Sequence, residues 1–168
     1  SYALTASYAL NGGSGGGGSA DYSPFTTGSS ADKILPKEGS NCDVIGSNST
    51  IAGGIQNEIG DDTSTISFIG GGCQNLIGSK LNTAGFIGGG TNNTLQCYTG
   101  TGGAIVGGTN NLLCMSAAGF IGGGSQNTIK LSDRSVIVGG SNNIIVPGTT
   151  ANYISIVGGF QNTGSCGF

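Results

Sequence analysis

Hydrophobic residues recur along this chain at fixed distances from paired glycines and paired side-chain amides. From residue 49 onward, seven 11-residue blocks align without gaps, as in "SFIGGGCQNLI" (67–77) and "GFIGGGTNNTL" (85–95). We call the second amide residue of each block the anchor and count positions from it. Isoleucine stands at −6, glycine at −4 and −3, and an aliphatic residue at +2 in all copies but the last. A block repeated at a nearly constant period predicts stacked, equivalent coils.

The repeat defines columns of equivalent residues. The anchors are Asn57, Asn75, Asn93, Asn111, Asn127, Asn143 and Asn162. The −6 isoleucines are Ile51, Ile69, Ile87, Ile105, Ile121, Ile137 and Ile156. The glycine pairs are Gly53 and Gly54, Gly71 and Gly72, Gly89 and Gly90, Gly107 and Gly108, Gly123 and Gly124, Gly139 and Gly140, and Gly158 and Gly159. A degenerate eighth block, "KILPKEGSNCD", places Asn41 in the same phase.

The residue types within a block predict its local structure. Arms such as "TIA", "FIG" and "VIV" are rich in β-branched and aromatic residues, which favour strands. Two glycines allow the chain to turn a corner and let neighbouring coils approach closely. We expect the anchor amides to form a ladder along the stack that satisfies polar groups at the corner. The sequence therefore predicts an all-β solenoid, or β-roll, with two short parallel strands per coil and about seven to eight coils.

The chain divides into three parts by composition. Residues 1–20 hold a period-six lead-in, "SYALTASYAL", and a Gly/Ser linker. Residues 21–40 are predicted to form an extended connector, and residues 41–168 the solenoid, with blocks of 16–19 residues. The chain begins at Ser1 without a methionine or a signal peptide, so we expect it to be a piece of a longer protein.

Three phenylalanines at position −7, Phe68, Phe86 and Phe120, form a candidate oligomer stripe. Residues at −7 and −6 point to opposite faces of a strand, so one of these columns lies outside a single thin coil. An exposed apolar stripe is best covered by self-association. We expect a parallel homotrimer. Either the phenylalanines or the isoleucine column could face the partners, and the sequence leaves both arrangements open.

Composition excludes several classes of function. The chain of 168 residues has 36 glycines, 8% charged residues, a net charge of −3 and no histidine or tryptophan. Its five basic residues are dispersed, so we expect no nucleic-acid partner, and no apolar run is long enough for membrane insertion. A phosphate-binding glycine loop would occur once and be followed by a helix, whereas this pattern recurs. We therefore expect no enzyme activity, no catalytic residues and no cofactor.

The cysteines and a pair of neighbouring aspartates are the candidates for a disulfide or a metal site. The five cysteines show no CxxC spacing, and without histidine a metal site is not expected. Cys97 and Cys114 lie one coil apart, which leaves a cross-coil disulfide as an alternative to separate buried thiols. Asp61 and Asp62 could contact a cation, but solvated turn residues are the default reading.

The block and the lead-in resemble a known class of repeat. The S-x-I-x-G-G-x-x-N-x-I pattern is similar to Gly-Gly-Asn repeat arrays of bacteriophage tail fibres and to the head repeats of trimeric autotransporter adhesins. "SYALTASYALNGG" is similar to the Ala-Ser-Tyr repeats that precede such arrays. The resemblance implies a trimeric, left-handed parallel β-roll used for attachment. The spacers here, of 5–8 residues, are longer than in the adhesin heads.

The resulting expectation is a non-catalytic structural segment, shaft or head, of a phage tail fibre in the virion. Its expected partners are further copies of itself, other fibre or tail proteins, and a host surface receptor or glycan bound through the variable spacers. The alternative is a bacterial surface adhesin or extracellular filament subunit, located at the cell surface. An ice-binding solenoid is disfavoured because position −2 is irregular, and a glycan-cleaving tailspike would need a groove with paired carboxylates.

Overall fold

The computed structural model describes residues 42–46, 48–60, 66–78, 84–96, 102–146 and 153–165, together with the backbone of two earlier strands. Those two are β1 (Phe25–Thr27) and β2 (Ile34–Pro36). The described part of the chain contains strands and turns and no helix. The predicted lead-in, residues 1–20, lies outside the described residues.

Each coil contributes one strand to each of two sheets. The strands that hold positions −7 and −6 are β4 (Thr50–Ile51), β6 (Phe68–Ile69), β8 (Phe86–Ile87), β10 (Ala104–Ile105), β12 (Phe120–Ile121), β14 (Val136–Ile137) and β16 (Ser155–Ile156). The second set of strands begins with β3 (Asp43–Val44), in the first coil. The other strands of this set follow the anchors and are β5 (Glu58–Gly60), β7 (Leu76–Gly78), β9 (Thr94–Gln96), β11 (Leu112–Cys114), β13 (Thr128–Lys130), β15 (Ile144–Ile145) and β17 (Thr163–Gly164).

Strands of successive coils pair in parallel and in phase. Sheet A has the order β1-β2-β4-β6-β8-β10-β12-β14-β16, and sheet B runs from β3 to β17 through the odd-numbered strands. Equivalent residues lie opposite one another, as Phe68 opposite Phe86 and Ile77 opposite Leu95. The predicted parallel β-solenoid with two short strands per coil is confirmed. It makes about six turns, whereas seven to eight coils were expected.

A third ladder runs along the stack between the two sheets. Single residues at position −2 form parallel bridges from each coil to the next, starting at Ile55 and ending at Phe160. The sequence analysis did not predict this ladder, since position −2 varies from isoleucine to serine. Each coil therefore has three sides, with the glycine pair between sheet A and the bridge ladder.

The core consists of two aliphatic columns facing each other inside the coil. The isoleucines at −6, from Ile51 to Ile137, are completely buried, and so are the aliphatic residues at +2, from Ile59 to Ile145. Only Ile156, in the last coil, is half-buried. The isoleucine column therefore forms the interior of each chain. The alternative in which that column faced partner chains is wrong.

The first coil departs from the gap-free alignment. Asp43 pairs with Glu58, which places Cys42 level with the anchor Asn57. The Cys42 thiol donates to the Gly54 carbonyl oxygen at 3.6 Å, where an anchor amide would donate in the other coils. The predicted phase of Asn41 is thus wrong by one residue, because one extra residue lies between β2 and β3. In the predicted connector, β1 and β2 form an antiparallel pair that extends sheet A.

Candidate functional site

The anchor asparagines form a continuous amide ladder inside the coil. Asn75 shows the repeating geometry: its Nδ2 donates to Gly71 in its own coil at 3.0 Å and to Gly90 in the next at 2.9 Å. Its backbone N–H and its Nδ2 both donate to Oδ1 of Asn57, each at 3.0 Å. Oδ1 of Asn75 in turn accepts from Asn93. The ladder predicted from the sequence is present, and it links every block to the next.

The two glycines of each pair differ in what they permit. The second glycine has positive φ in every block, 92° at Gly90, and a Cβ there would overlap the carbonyl oxygen of Gly108 in the next coil. Only glycine fits this corner. A Cβ on the first glycine, Gly89, would meet nothing within 4 Å. The predicted corner function therefore belongs to the second glycine. At the first position the backbone favours glycine in two blocks, at Gly71 and Gly123, where φ is 155° and 157°.

Two further columns have left-handed backbone that the sequence analysis missed. Position −1, the first amide of the pair, has φ between 53° and 57° in all seven blocks. Position −9 has positive φ as well, for example at Ala84, Ala118 and Arg134. Asparagine tolerates this region, but glutamine and alanine have no special preference for it. The amide pair was a partial signal for the first column, whereas the mixed residue types at −9 gave none.

Small residues at position −8 form a second buried polar ladder where they are serines. The hydroxyl oxygen of Ser49 accepts from the backbone N–H of Ser67 at 3.0 Å, and that of Ser67 from Gly85 at 3.2 Å. Ser135 does the same for the backbone N–H of Ile154 at 3.1 Å. These hydroxyls satisfy amide groups beside the core, so serine at this position stabilises the stack.

The outer face of sheet A carries the candidate stripe. Phe68, Phe86 and Phe120 are 38%, 38% and 36% exposed and point away from the core. The rings of Phe68 and Phe86 stack with centroids 5.8 Å apart and planes 13° from parallel. In the stack, Ala104 separates Phe86 from Phe120. The phenylalanines are therefore the outward column.

Positions −7 and −5 together keep the outer face of sheet A even along the axis. Where −7 is phenylalanine, −5 is glycine, and the ring edge of Phe86 lies 3.4 Å from where a Cβ of Gly88 would be. Where −7 is smaller, −5 is alanine or valine, as in Ala104 with Val106 and Val136 with Val138. No residue at these two positions in the seven blocks is charged. Sheet A thus presents a flat, uncharged and mostly apolar surface.

The described residues bring together no group for metal or redox chemistry. They contain no group of three His, Cys, Asp or Glu side chains that could hold a metal ion. Cys73 and Cys114 are free thiols, and Cys114 is buried. Cys97, Asp61 and Asp62 lie outside the described residues, and so do the spacers that were expected to bind. Among the described residues, no helix is long and apolar enough to cross a membrane.

These features define the class of the protein. The chain is a parallel β-solenoid repeat protein with an amide ladder in its interior and an apolar outer face on one sheet. Comparison with known protein families, with curated proteins and with solved structures finds no match.

Proposed function

We propose that this chain is a non-catalytic structural segment, shaft or head, of a bacteriophage tail fibre, and that three parallel copies assemble through the outer face of sheet A. The observation that carries the proposal is the continuous uncharged face with its column of outward phenylalanines. A monomer would expose this face to water along its whole length. An exposed apolar face of this kind often marks a site of interaction between proteins.

The outer face of sheet A is large enough to contribute to an interface, and it is about half of what a standard interface needs. Seven coils at about 4.8 Å and four residues at about 3.3 Å give a face of roughly 440 Å². That value lies within the range of about 300–600 Å² for the largest apolar patches on monomers, which are often functional. A face-to-face pair would bury about half of the ~800 Å² per partner of a standard interface. Three chains around one axis would bury the same face and also bring the flanking corners together.

The interior supports a mechanical function. Backbone hydrogen bonds in both sheets and in the bridge ladder run from coil to coil, as from Gly70 N–H to the Ile87 oxygen at 2.9 Å. The amide ladder adds a side-chain row along the same direction. Hydrogen bonds aligned with the long axis of a solenoid resist bending and stretching. A stiff spacer that holds a receptor-binding surface away from a particle needs this property.

The assignment to a tail fibre comes from the sequence resemblance of the blocks and the lead-in. It implies a virion location, other tail proteins as neighbours, and attachment to a host surface receptor or glycan. Antibodies against the array should label the distal fibres of phage particles in electron micrographs. Labelling confined to bacterial surfaces would support the adhesin or filament alternative instead.

Assembly is tested by the mass of the full chain in solution, measured by light scattering. We expect three times the chain mass of 16.4 kDa for the wild type. The double variant Phe86→Glu, Phe120→Glu should be monomeric with an unchanged circular dichroism spectrum, because both side chains lie outside the core. The matched control is Thr94→Glu, Thr128→Glu, which adds the same charges in the same coils on the outer side of sheet B.

Each outcome of this experiment has a distinct meaning. A monomeric wild type would contradict the homotrimer. A trimer that persists in the phenylalanine variant would show that the outer face of sheet A is not the interface. Dissociation of the threonine control to the same extent would assign sheet B to the interface as well and contradict the assignment to sheet A alone.

A further inference from the structure

One edge of the coil carries an uncharged row of hydroxyl and amide side chains. It consists of positions −2 and −1 in four successive blocks, and we call it the hydroxyl–amide edge. Its members are Thr91 and Asn92, Thr109 and Asn110, Ser125 and Gln126, and Ser141 and Asn142. All are exposed or half-buried. At about 4.8 Å per coil, the row is roughly 14 Å long.

The amides of this edge are not needed by the fold. The backbone N–H of each −1 residue donates along the stack, as from Asn92 to the Cys73 oxygen and from Gln126 to the Thr109 oxygen, both at 2.9 Å. Among the residues that the structure describes, only one of the four side-chain amides donates a hydrogen bond, that of Asn142 to Ser141 Oγ at 3.2 Å. The side-chain hydrogen bonds inside the coil come from the neighbouring anchors. The −1 amides therefore point outward, and the fold does not depend on their hydrogen bonds.

The backbone conformation at position −1 indicates that the amide side chains there have a use. Its φ lies near +55° in every block, where glycine would be the least strained residue. Glycine occurs abundantly in this chain, yet every −1 residue is asparagine or glutamine. Glutamine gains nothing from the left-handed region, so backbone preference does not account for Gln126. Strain retained in equivalent positions is a sign that the side chain itself is used.

The composition of the edge indicates the kind of partner. Amides and hydroxyls donate and accept hydrogen bonds without carrying charge, which suits a neutral, polyhydroxylated ligand. Side-chain lengths along the edge are uneven, since one glutamine stands among three asparagines and two threonines are followed by two serines. A closely packed copy of the chain would require an even outline, such as that of sheet A. We propose that the hydroxyl–amide edge binds a neutral linear polysaccharide that runs along the solenoid axis.

This inference rests on the proposed attachment function and names its ligand class and its site. The test is calorimetric titration of the full chain with cellohexaose, chitohexaose, maltohexaose and a linear mannohexaose. At least one should bind the wild type. The variant Asn92→Gly, Asn110→Gly, Gln126→Gly, Asn142→Gly removes all four amides and should lower that affinity at least tenfold. Glycine relieves the left-handed strain, so the variant should fold and keep its mass.

A matched control places the same kind of change on another column. Ala84→Gly, Ala118→Gly, Arg134→Gly also introduces glycine at residues with φ of 53–67°, but at the corner preceding sheet A. Its affinity should equal that of the wild type. Absence of binding by all four hexasaccharides, or equal binding by the amide variant, would overturn the inference. Loss of the trimer in the amide variant would overturn it too, by assigning the edge to contacts between chains. A monomeric wild type that still binds through the edge would contradict the proposed assembly and leave the polysaccharide site supported.

Discussion

The sharpest consequence of the structure concerns a single anchor in the middle of the stack. Asn93 is completely buried and is fully engaged in the amide ladder. Its Nδ2 shares two N–H groups among three acceptors, the oxygens of Gly89 at 3.0 Å, Gly108 at 2.9 Å and Asn75 Oδ1 at 3.1 Å. Its Oδ1 accepts from the backbone and side-chain nitrogens of Asn111 at 3.1 Å and 3.0 Å. Asn93→Leu removes every one of these bonds and fills the space, which leaves no room for water.

The cost follows from the groups that lose their partners. The backbone N–H of Asn111 and the carbonyl oxygen of Gly89 have no other hydrogen bond among the described residues. The N–H becomes buried and unsatisfied, whereas the Gly89 oxygen is half-buried and loses its partner in a partly solvated position. The oxygen of Gly108 keeps the backbone donor of Thr91 at 2.9 Å. At about 1–3 kcal/mol for the buried N–H and less for the half-buried oxygen, we expect Asn93→Leu to lower the free energy of unfolding by about 3 kcal/mol.

Urea unfolding of the full chain, followed by circular dichroism at one fixed protein concentration, measures this loss. Asn162→Leu is the internal control, because Asn162 is exposed in the last block and its amide donates only to Gly158 and Asn143. We expect the control to cost less than about 1.5 kcal/mol. Equal losses for the two variants would refute the argument that the buried ladder holds successive coils together.

Two further substitutions test the corner and the serine ladder. Gly90→Ala should cost about 3 kcal/mol or more in the same urea assay, because its Cβ would overlap the Gly108 oxygen and its φ is +92°, whereas Gly89→Ala should change stability by less than about 1 kcal/mol. Equal effects would contradict the distinction between the two glycines. Ser67→Ala removes the acceptor of the Gly85 N–H and should cost about 1–2 kcal/mol, with faster amide hydrogen exchange at Gly85. Unchanged exchange there would show that this hydroxyl is dispensable.

Much of the fold was predictable because the interior of a thin solenoid accepts few residue types. Ile87 contacts equivalents of itself above and below, so the same side chain recurs at the same offset. Asn93 must both donate and accept along the axis, and only a short amide does this at a corner of that size. Repetition turns each such constraint into a visible column. The parallel strands, their register and the amide ladder could therefore be predicted from the sequence alone.

Other features were hidden because their cause is backbone geometry or an extra residue. The left-handed conformation at position −9, as at Ala118, leaves no consistent mark, since the residue types there are mixed. At position −1, as at Gln126, the recurring amide was only a partial signal. The bridge at position −2 depends on backbone atoms alone, so its side chains vary. The anchor role of Cys42 depends on one extra residue, which a gap-free alignment cannot detect.

The sequence by itself determined that the chain is a stack of equivalent β-coils, because periodic residues can satisfy one another only when they are stacked. It could not determine whether the residues at −7 or those at −6 face outward. Strand alternation puts the two columns on opposite sides of the sheet, and it does not specify which side lies inside the coil. The tertiary structure decided this. The path of the chain around three sides encloses the isoleucines with the anchors, and it leaves Phe68, Phe86 and Phe120 on the outer face of sheet A.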